Sequence, residues 1–207
     1  MNLKVCGITT KKQLEQLEGL NVAFAGFIFD KNSPRYAGDK LAEEDLTGMD
    51  LDLKKVGVFV DMEYEDIMEM VEKFELDMVQ LHGNESPELC EELSEDTEVI
   101  KVFHIDESIV SIDKLVAPYD NVCDYYLFDT KTATAKGGTG KKFDWEKIKS
   151  AKIEKPFFLS GGIGPDDAAL VKSFKHPDYF GVDVNSLFEK EPGVKDMGKV
   201  LGFVKSI

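Results

Sequence analysis

Short apolar runs alternate with amphipathic stretches along the whole chain. Continuous runs of about four to eight residues rich in Val, Ile and Phe are typical of strands buried on both faces. The runs predicted as strands are "LKVC", "VAFAGFIF", "KVGVFV", "DMVQL", "EVIKVF", "DYYLF", "PFFLS" and "YFGVDV". After each run, apolar residues recur at helical spacing, most weakly in "DKLAEEDLTG" after the second strand.

This alternation of strand and helix predicts parallel neighbouring strands. Eight such units in 207 residues fit the lower end of the size range of a (β/α)8 barrel. A doubly wound open sheet has the same alternation and remains an alternative. Because the chain has no linker-like stretch and no short repeat, we predict that residues 1–207 form a single barrel domain.

Charge and hydropathy narrow the classes of partner. The 40 acidic residues outnumber the 25 basic ones, and the net charge of −15 disfavours nucleic acid, whose phosphates it repels. No apolar run reaches the ~18 residues that a membrane span needs. The first residues lack the basic segment and apolar core of a signal peptide, so we expect a cytoplasmic protein without a membrane partner.

In a barrel, chemistry is placed where strands end and the following loops begin. Cys6 stands at such a point, directly before Gly7, and either packs or reacts. The three cysteines are scattered without a CxxC pair, so we expect free thiols. Asp129 ends the sixth strand, where it either caps its own loop or acts as an acid in apolar surroundings.

The last two loops carry a phosphate signal. Gly161 and Gly162 let the backbone approach an anion closely, and Pro165 begins a helix whose first N–H groups are open. The loop after the eighth strand predicts a short extra helix that starts near Asn185 and Ser186. Phosphate sites in barrels are often built from these two loops, although the glycines also fit a simple tight turn.

Other loops at this edge carry basic residues and histidines. Arg35 follows Ser33-Pro34, and arginine suits bidentate binding of a carboxylate. The loop "DTKTATAKGGTGKKFDW" is predicted to cover the substrate. Only His82 is predicted at the catalytic face, although His104 also ends a strand, and no histidine pair has metal-ligand spacing, so we predict no metal site.

Barrel closure would bring these residues together. The first and sixth strands are three places apart through the seventh and eighth, so Cys6 and Asp129 should face each other across the mouth. The phosphate loops lie between them on one side and Arg35 lies beyond Cys6 on the other. A substrate with a phosphate at one end and a carboxylate at the other would pass between a thiol and a carboxyl group.

At these residues the sequence resembles the phosphoribosylanthranilate isomerase family. The matching motifs occur in order along the chain: "KVCGIT", "GFIFDKNSPRYA", "VGVFV", "VQLHGNE", "FDTKTATAKGGTGKKFDW", "LSGGIGPDDA" and "VDVNSLFEKEPGVKD". The resemblance implies a (β/α)8 barrel without a cofactor. It also implies an Amadori rearrangement of N-(5′-phosphoribosyl)anthranilate to the 1-amino-1-deoxyribulose 5-phosphate, a step in tryptophan biosynthesis.

The resemblance also implies roles for particular residues. Cys6 takes the position of the general base, Asp129 that of the general acid, and Arg35 that of the anthranilate-carboxylate ligand. Other expected substrate contacts, several of them to the phosphate, are His82, Gly161, Gly162, Asp183, Asn185 and Ser186. Many members of the family read Ser-Ser-Gly where this chain reads Asn-Ser-Leu. Leu187 adopts a positive φ less readily than Gly, which leaves the role of that backbone open.

Two alternative functions remain at this point. Indoleglycerol-phosphate synthase and sugar-phosphate isomerases of histidine biosynthesis also bind phosphate at the last two loops of a barrel. A barrel that binds phosphosugars without turnover is the non-catalytic alternative. The presence of Cys6, Asp129 and Arg35 together favours the isomerase, either as a monomer or as a homodimer.

Overall fold

A computed structural model describes residues 1–130 and 145–207. Eight parallel strands pair in sequence order, and β1 pairs with both β2 and β8, which closes the barrel. The strands are β1 (Asn2–Cys6), β2 (Phe24–Ile28), β3 (Lys54–Phe59), β4 (Met78–Leu81), β5 (Glu98–Ile105), β6 (Tyr125–Thr130), β7 (Phe157–Ser160) and β8 (Tyr179–Val184). The predicted barrel is thus confirmed, and the open sheet is excluded by the pairing of β1 with β8.

Helices connect most of the strands on the outside of the barrel. They are α1 (Lys11–Glu18), α2 (Tyr64–Phe74), α3 (Pro87–Ser94), α4 (Ile112–Val116), α5 (Glu146–Lys149), α6 (Ala168–Ser173) and α7 (Met197–Val204). Among the described residues, none of these helices combines the length and the apolarity that crossing a bilayer requires.

The prediction of a helix between β2 and β3 is wrong. A single 3-10 turn, Glu43–Asp45, stands in its place. The two buried leucines of this segment, Leu41 and Leu46, are five residues apart and do not form a helical stripe. Gly48, with φ of 64°, then turns the chain away from a helical path.

The interior of the barrel has two layers. Alternate residues of each strand face the barrel axis. Towards the amino-terminal ends of the strands, the inward side chains form an apolar cluster: Phe24, Val56, Met78, Ile100, Val102, Leu127 and Phe158. One step further along the strands, several inward positions are polar, among them Lys4, Gln80, His104 and Asp129. The strand pattern therefore places the polar groups at the carboxyl-terminal mouth.

A short hairpin, absent from the strand prediction, follows β8. A 3-10 turn at Ser186–Phe188 leads into β9 (Glu189–Glu191), which pairs antiparallel with β10 (Val194–Lys195). The hairpin turns at Gly193, with φ of 83°. The Gln13 side chain of α1 donates to the carbonyl of Gly193 at 3.1 Å, which fixes the hairpin against the first helix.

Candidate active site

A cavity of about 330 Å³ opens at the carboxyl-terminal mouth of the barrel. Cys6 lines it from β1 and Asp129 lines it from β6. The other predicted site residues that line this cavity are His82, Gly161, Gly162, Asp183, Asn185 and Ser186. Arg35 is the exception and lies beside the cavity. The structure therefore brings the predicted residues to one place, as barrel closure requires.

Gly7 turns the chain immediately after Cys6. Its φ of 79° belongs to the left-handed region that favours glycine. A Cβ at this position would lie 2.8 Å from Asn185 Oδ1 and 2.9 Å from Arg35 Cδ. The N–H groups of Gly7 and Ile8 both donate to the carbonyl of Gly26 at 2.9 Å. The glycine thus ends β1 so that Cys6 stays at the mouth while Arg35 and Asn185 pack above it.

Lys4 is a site residue that the sequence analysis missed. Its side chain is fully buried inside the barrel, two residues before Cys6 on the same strand face, and its Nζ donates to Asp183 Oδ1 at 2.9 Å. A Cβ on Gly26 would lie 2.8 Å from Cys6 Sγ and 3.1 Å from Lys4 Nζ. The thiol and the ammonium group therefore share the space that Gly26 leaves open.

The surroundings of Cys6 act on its pKa in opposite directions. Burial raises the pKa of the Cys6 thiol, the charges of Lys4 and Lys195 lower it, and the carboxylate of Asp183 raises it. The net effect is a raised pKa. Burial also lowers the pKa of Lys4, but Asp183 and Cys6 outweigh burial and raise it above its ordinary value. Lys4 is thus a lasting positive charge beside the thiol.

Arg35 and Lys195 meet on the carboxylate of Glu189, the first residue of the hairpin. Arg35 donates from Nε to both oxygens of Glu189, at 2.9 and 3.0 Å, and from Nη2 at 2.7 Å. Lys195 Nζ donates to the same carboxylate at 2.7 Å. Burial raises the pKa of Glu189, but its bonds to Arg35 and Lys195 lower it by more, so this carboxylate is ionised.

The charges around Cys6 do not cancel. The ion pairs there contain three cations, Lys4, Arg35 and Lys195, and two carboxylates, Asp183 and Glu189. This cluster of five ion-paired groups therefore carries one positive charge in excess, within a chain whose net charge is −15, and Asp30 also lines the cavity. Such an excess favours an anionic group of a ligand. The lysines of the predicted covering loop, at residues 131–144, lie outside the described residues.

The predicted phosphate loops differ in detail from expectation. Gly161 and Gly162 have φ of 92° and 64°, and a Cβ on Gly161 would lie 2.3 Å from the carbonyl oxygen of Thr130. The helix predicted to begin at Pro165 starts as a 3-10 turn, and the Gly164 N–H donates to the Asp167 carboxylate at 2.7 Å. That N–H is thus already occupied.

The eighth loop forms the 3-10 turn Ser186–Phe188 where the short extra helix was predicted. Leu187 lies within this turn and is not among the described residues with a positive φ, so a side chain is accommodated there without backbone strain. Lys195 Nζ donates to Asn185 Oδ1 at 2.7 Å, which holds the start of the turn.

Asp129 lies between two histidines from neighbouring strands. Its Oδ2 is 3.7 Å from His82 Nε2 and 3.4 Å from His104 Nδ1. Burial lowers the pKa of His82. The prediction of His82 alone at this face is wrong, because His104 pairs in register with Asp129 across β5 and β6. The spacing of histidines along the sequence reveals a pair only when both lie on the same helix or strand. His82 follows β4 and His104 lies on β5, so their proximity has no such signature.

Comparisons with known proteins fit this architecture. The model of the family described as N-(5'phosphoribosyl)anthranilate (PRA) isomerase matches residues 3–206. The chain belongs to this isomerase family. The resemblance carried by the sequence motifs is thus confirmed over nearly the whole chain.

Individual members of the isomerase family are similar to this chain over nearly their full lengths. The N-(5'-phosphoribosyl)anthranilate isomerase of Parabacteroides distasonis is 41% identical over 209 residues, covering 100% of this chain and 93% of that protein. The crystal structure of phosphoribosyl anthranilate isomerase from Thermotoga maritima has a TM-score of 0.83 at 32% identity, covering 100% of this chain and 98% of that chain.

A further structure in the family contains a ligand. This phosphoribosyl anthranilate isomerase was solved in complex with reduced 1-(o-carboxyphenylamino)-1-deoxyribulose 5-phosphate. It has a TM-score of 0.79 at 27% identity, covering 100% of this chain and 97% of that chain.

Proposed function

We propose that this chain isomerises N-(5′-phosphoribosyl)anthranilate to 1-(2-carboxyphenylamino)-1-deoxyribulose 5-phosphate in tryptophan biosynthesis. The observation that carries the proposal is the placement of Cys6 and Asp129 in one cavity, from strands on opposite sides of the barrel mouth. A base and an acid so placed suit a reaction that consists of proton transfers at neighbouring atoms of one sugar. Family membership and the ligand of the solved relative support the choice of substrate.

The first step opens the ribose ring, with Asp129 as the acid. The carboxyl proton passes to the ring oxygen, the bond between C1′ and that oxygen breaks, and the lone pair of the anilino nitrogen forms a C=N bond. The product is a protonated Schiff base. His104 Nδ1 and His82 Nε2 lie 3.4 and 3.7 Å from Asp129 Oδ2 and hold this carboxyl group at the mouth.

The second step removes the proton from C2′, with the Cys6 thiolate as the base. The C–H electron pair forms the C1′=C2′ bond, and the C=N electrons return to nitrogen. The resulting enolamine becomes the ketone when its hydroxyl proton leaves and C1′ is protonated. Because burial opposes the thiolate, we assign Lys4 the role of a positioning residue that stabilises its negative charge.

The anthranilate carboxylate is proposed to bind at the cationic side of the mouth. Arg35 donates to Glu189 from Nε and Nη2. Its third nitrogen, Nη1, makes no hydrogen bond to that carboxylate. Glu189 thereby fixes the plane of the guanidinium group. The cluster of Lys4, Arg35, Lys195, Asp183 and Glu189 has a single positive charge in excess, which matches the charge of one carboxylate.

The substrate phosphate is proposed to bind against Gly161, Gly162 and Ser186. All three line the cavity, and the two glycines leave the backbone open to a close approach. Asn185, held by Lys195, sets the start of the turn that carries Ser186. The substrate then spans the cavity with its ribose between Asp129 and Cys6.

The test is turnover of phosphoribosylanthranilate by the full chain. We expect the fluorescence of the anthranilate group to fall as the substrate rearranges, at a rate proportional to enzyme concentration. The spontaneous decay of the substrate in buffer alone is subtracted. Binding of the reduced product analogue without any turnover would instead identify a phosphosugar-binding barrel that lacks catalysis.

A further inference from the structure

His82, His104 and Asp129 form a compact group of metal-ligating atoms at the barrel mouth. One atom of each, His82 Nε2, His104 Nδ1 and Asp129 Oδ2, lies within 4.8 Å of the others. All three side chains are partly exposed, and His82 and Asp129 line the cavity, whereas the His104 Nδ1 atom itself is buried beside it. The three come from adjacent positions in the barrel, at the ends of β4, β5 and β6.

The tautomer of His104 is set by its other nitrogen. His104 Nε2 lies 3.1 Å from the carbonyl oxygen of His82. A carbonyl only accepts, so Nε2 carries the proton, and the neutral ring presents the lone pair of Nδ1. That lone pair faces Asp129 Oδ2 at 3.4 Å, and this is the carboxyl group that carries the acid proton in the proposed reaction. A metal ion that displaces this proton would bind the same nitrogen and the same carboxyl group.

His82 has a partner suited to the same arrangement. Its Nδ1 lies 3.0 Å from the side-chain amide nitrogen of Gln80, whose Oε1 has no hydrogen-bond partner among the described residues. Exchanging the amide oxygen and nitrogen leaves the shape of Gln80 unchanged. Gln80 Oε1 then accepts from Nδ1–H of His82, and the lone pair of Nε2 points to the group. Metal-ligating histidines are typically oriented by such a second hydrogen bond.

We propose that His82, His104 and Asp129 bind a divalent transition-metal ion of the Zn²⁺ class, which inhibits the enzyme. A metal ion about 2.1 Å from each ligand holds neighbouring ligands roughly 3.3 Å apart, close to the 3.7 and 3.4 Å that separate Asp129 Oδ2 from His82 Nε2 and His104 Nδ1. Two imidazoles and one carboxylate favour Zn²⁺ or Co²⁺ over Mg²⁺, which prefers oxygen ligands.

Inhibition follows because the ion would occupy the carboxylate oxygen that carries the acid proton. This consequence rests on the proposed function of Asp129, whereas the binding of the ion does not. The two are therefore measured separately, with Co²⁺ absorption for binding and substrate turnover for inhibition.

The binding test is a titration of the metal-free full chain with Co²⁺, followed by its visible ligand-field absorption, and with Zn²⁺ by calorimetry. We expect one ion per chain. His104→Gln and His82→Gln should each weaken binding at least about 10-fold, since even loss of a partner that orients a ligand costs 10- to 100-fold. His176→Gln is the matched control, because His176 precedes β8 at the opposite end of the barrel.

A cysteine control separates this site from a thiol site. Cys6 lines the same cavity, and Cys6→Ala should bind Co²⁺ as tightly as the unmodified chain. Circular dichroism establishes that each variant is folded. Equal affinity in the unmodified chain and both histidine variants, or loss of binding in Cys6→Ala, would overturn the proposed site.

Turnover in the presence of Zn²⁺ then tests the consequence. We expect inhibition over the same range of Zn²⁺ concentration as binding, reversed by a chelator and weakened in parallel in the histidine variants. Binding with full retention of turnover would leave the metal site in place and contradict the proposed role of Asp129 instead.

Discussion

Lys4 and Asp183 form an ion pair inside the barrel, with Lys4 Nζ 2.9 Å from Asp183 Oδ1 and the two side chains 0% and 6% exposed. The pair joins the first strand to the last, at the seam where the barrel closes. It also places a permanent positive charge beside the Cys6 thiol. One contact therefore serves both the closure of the fold and the chemistry of the site.

Replacing Lys4 by Met should change the pH dependence of the reaction. Lys4 lowers the pKa of Cys6 and Asp183 raises it. Removing the lysine therefore raises the pKa of Cys6 twice, because its own positive charge is lost and the negative charge of Asp183 is no longer neutralised. The rise of kcat with pH should move to higher pH, because a thiol whose pKa is higher by one has about tenfold less thiolate at neutral pH. The measurement is kcat against pH, together with the pH dependence of Cys6 alkylation by iodoacetamide. An unchanged pH profile in both measurements would contradict the role assigned to Lys4.

The double variant Lys4→Met with Asp183→Asn separates charge from stability. Removing Lys4 alone leaves a buried carboxylate unpaired and should cost about 3 to 5 kcal/mol in the free energy of unfolding. The double variant should recover most of this stability in urea titrations, without recovering the kcat of the unmodified chain at neutral pH. Full recovery of kcat would show that Lys4 acts only on folding.

Arg35→Lys should weaken binding of a ligand that carries the anthranilate carboxylate. A lysine keeps the charge but loses the planar geometry that Glu189 holds in place. Calorimetric titrations at matched ionic strength compare the reduced product analogue with its descarboxy counterpart. We expect a much larger loss for the first ligand. Equal losses for both would mean that Arg35 contributes only charge or holds its loop.

Gly161→Ala should reduce both stability and phosphate binding. A Cβ there would lie 2.3 Å from the carbonyl oxygen of Thr130, and φ is 92°. Gly48 is the matched control, since its φ is 64° but a Cβ would have nothing within 4 Å. Gly48→Ala should cost about 1 kcal/mol in the free energy of unfolding from backbone strain alone. Gly161→Ala should cost more, and should alone weaken binding of the phosphate-bearing product analogue. Similar losses of stability, or unchanged affinity for the analogue, would contradict the proposed phosphate site.

The barrel was predictable from sequence because its signal is local. Apolar runs and amphipathic stretches alternate, and a closed barrel places the carboxyl ends of all strands at one face, so Cys6 and Asp129 could be located at the same mouth. The missing helix after β2 shows the limit of the same reasoning. A segment with two leucines five residues apart has too little apolar surface for a helix, however regular its neighbours are.

The charge partners of the site were not predictable in the same way. Arg35 and Glu189 are 154 residues apart, and Lys4 and Asp183 are 179 apart, so no local pattern connects them. One signal for Lys4 was present. A lysine two positions before Cys6 on a strand must face the same side, and in a closed barrel that side is the interior.

The most direct test of the account is kcat in Cys6→Ala and Asp129→Asn, with Cys90→Ala as control. Cys90 is a buried residue of α3 and does not line the cavity, so its variant should keep the kcat of the unmodified chain. Cys6→Ala and Asp129→Asn should each lose at least ~10²-fold in kcat, as removal of an acid or base predicts, while still binding the reduced product analogue. Near-normal turnover in either variant, with the fold intact, would contradict the assignment of base and acid.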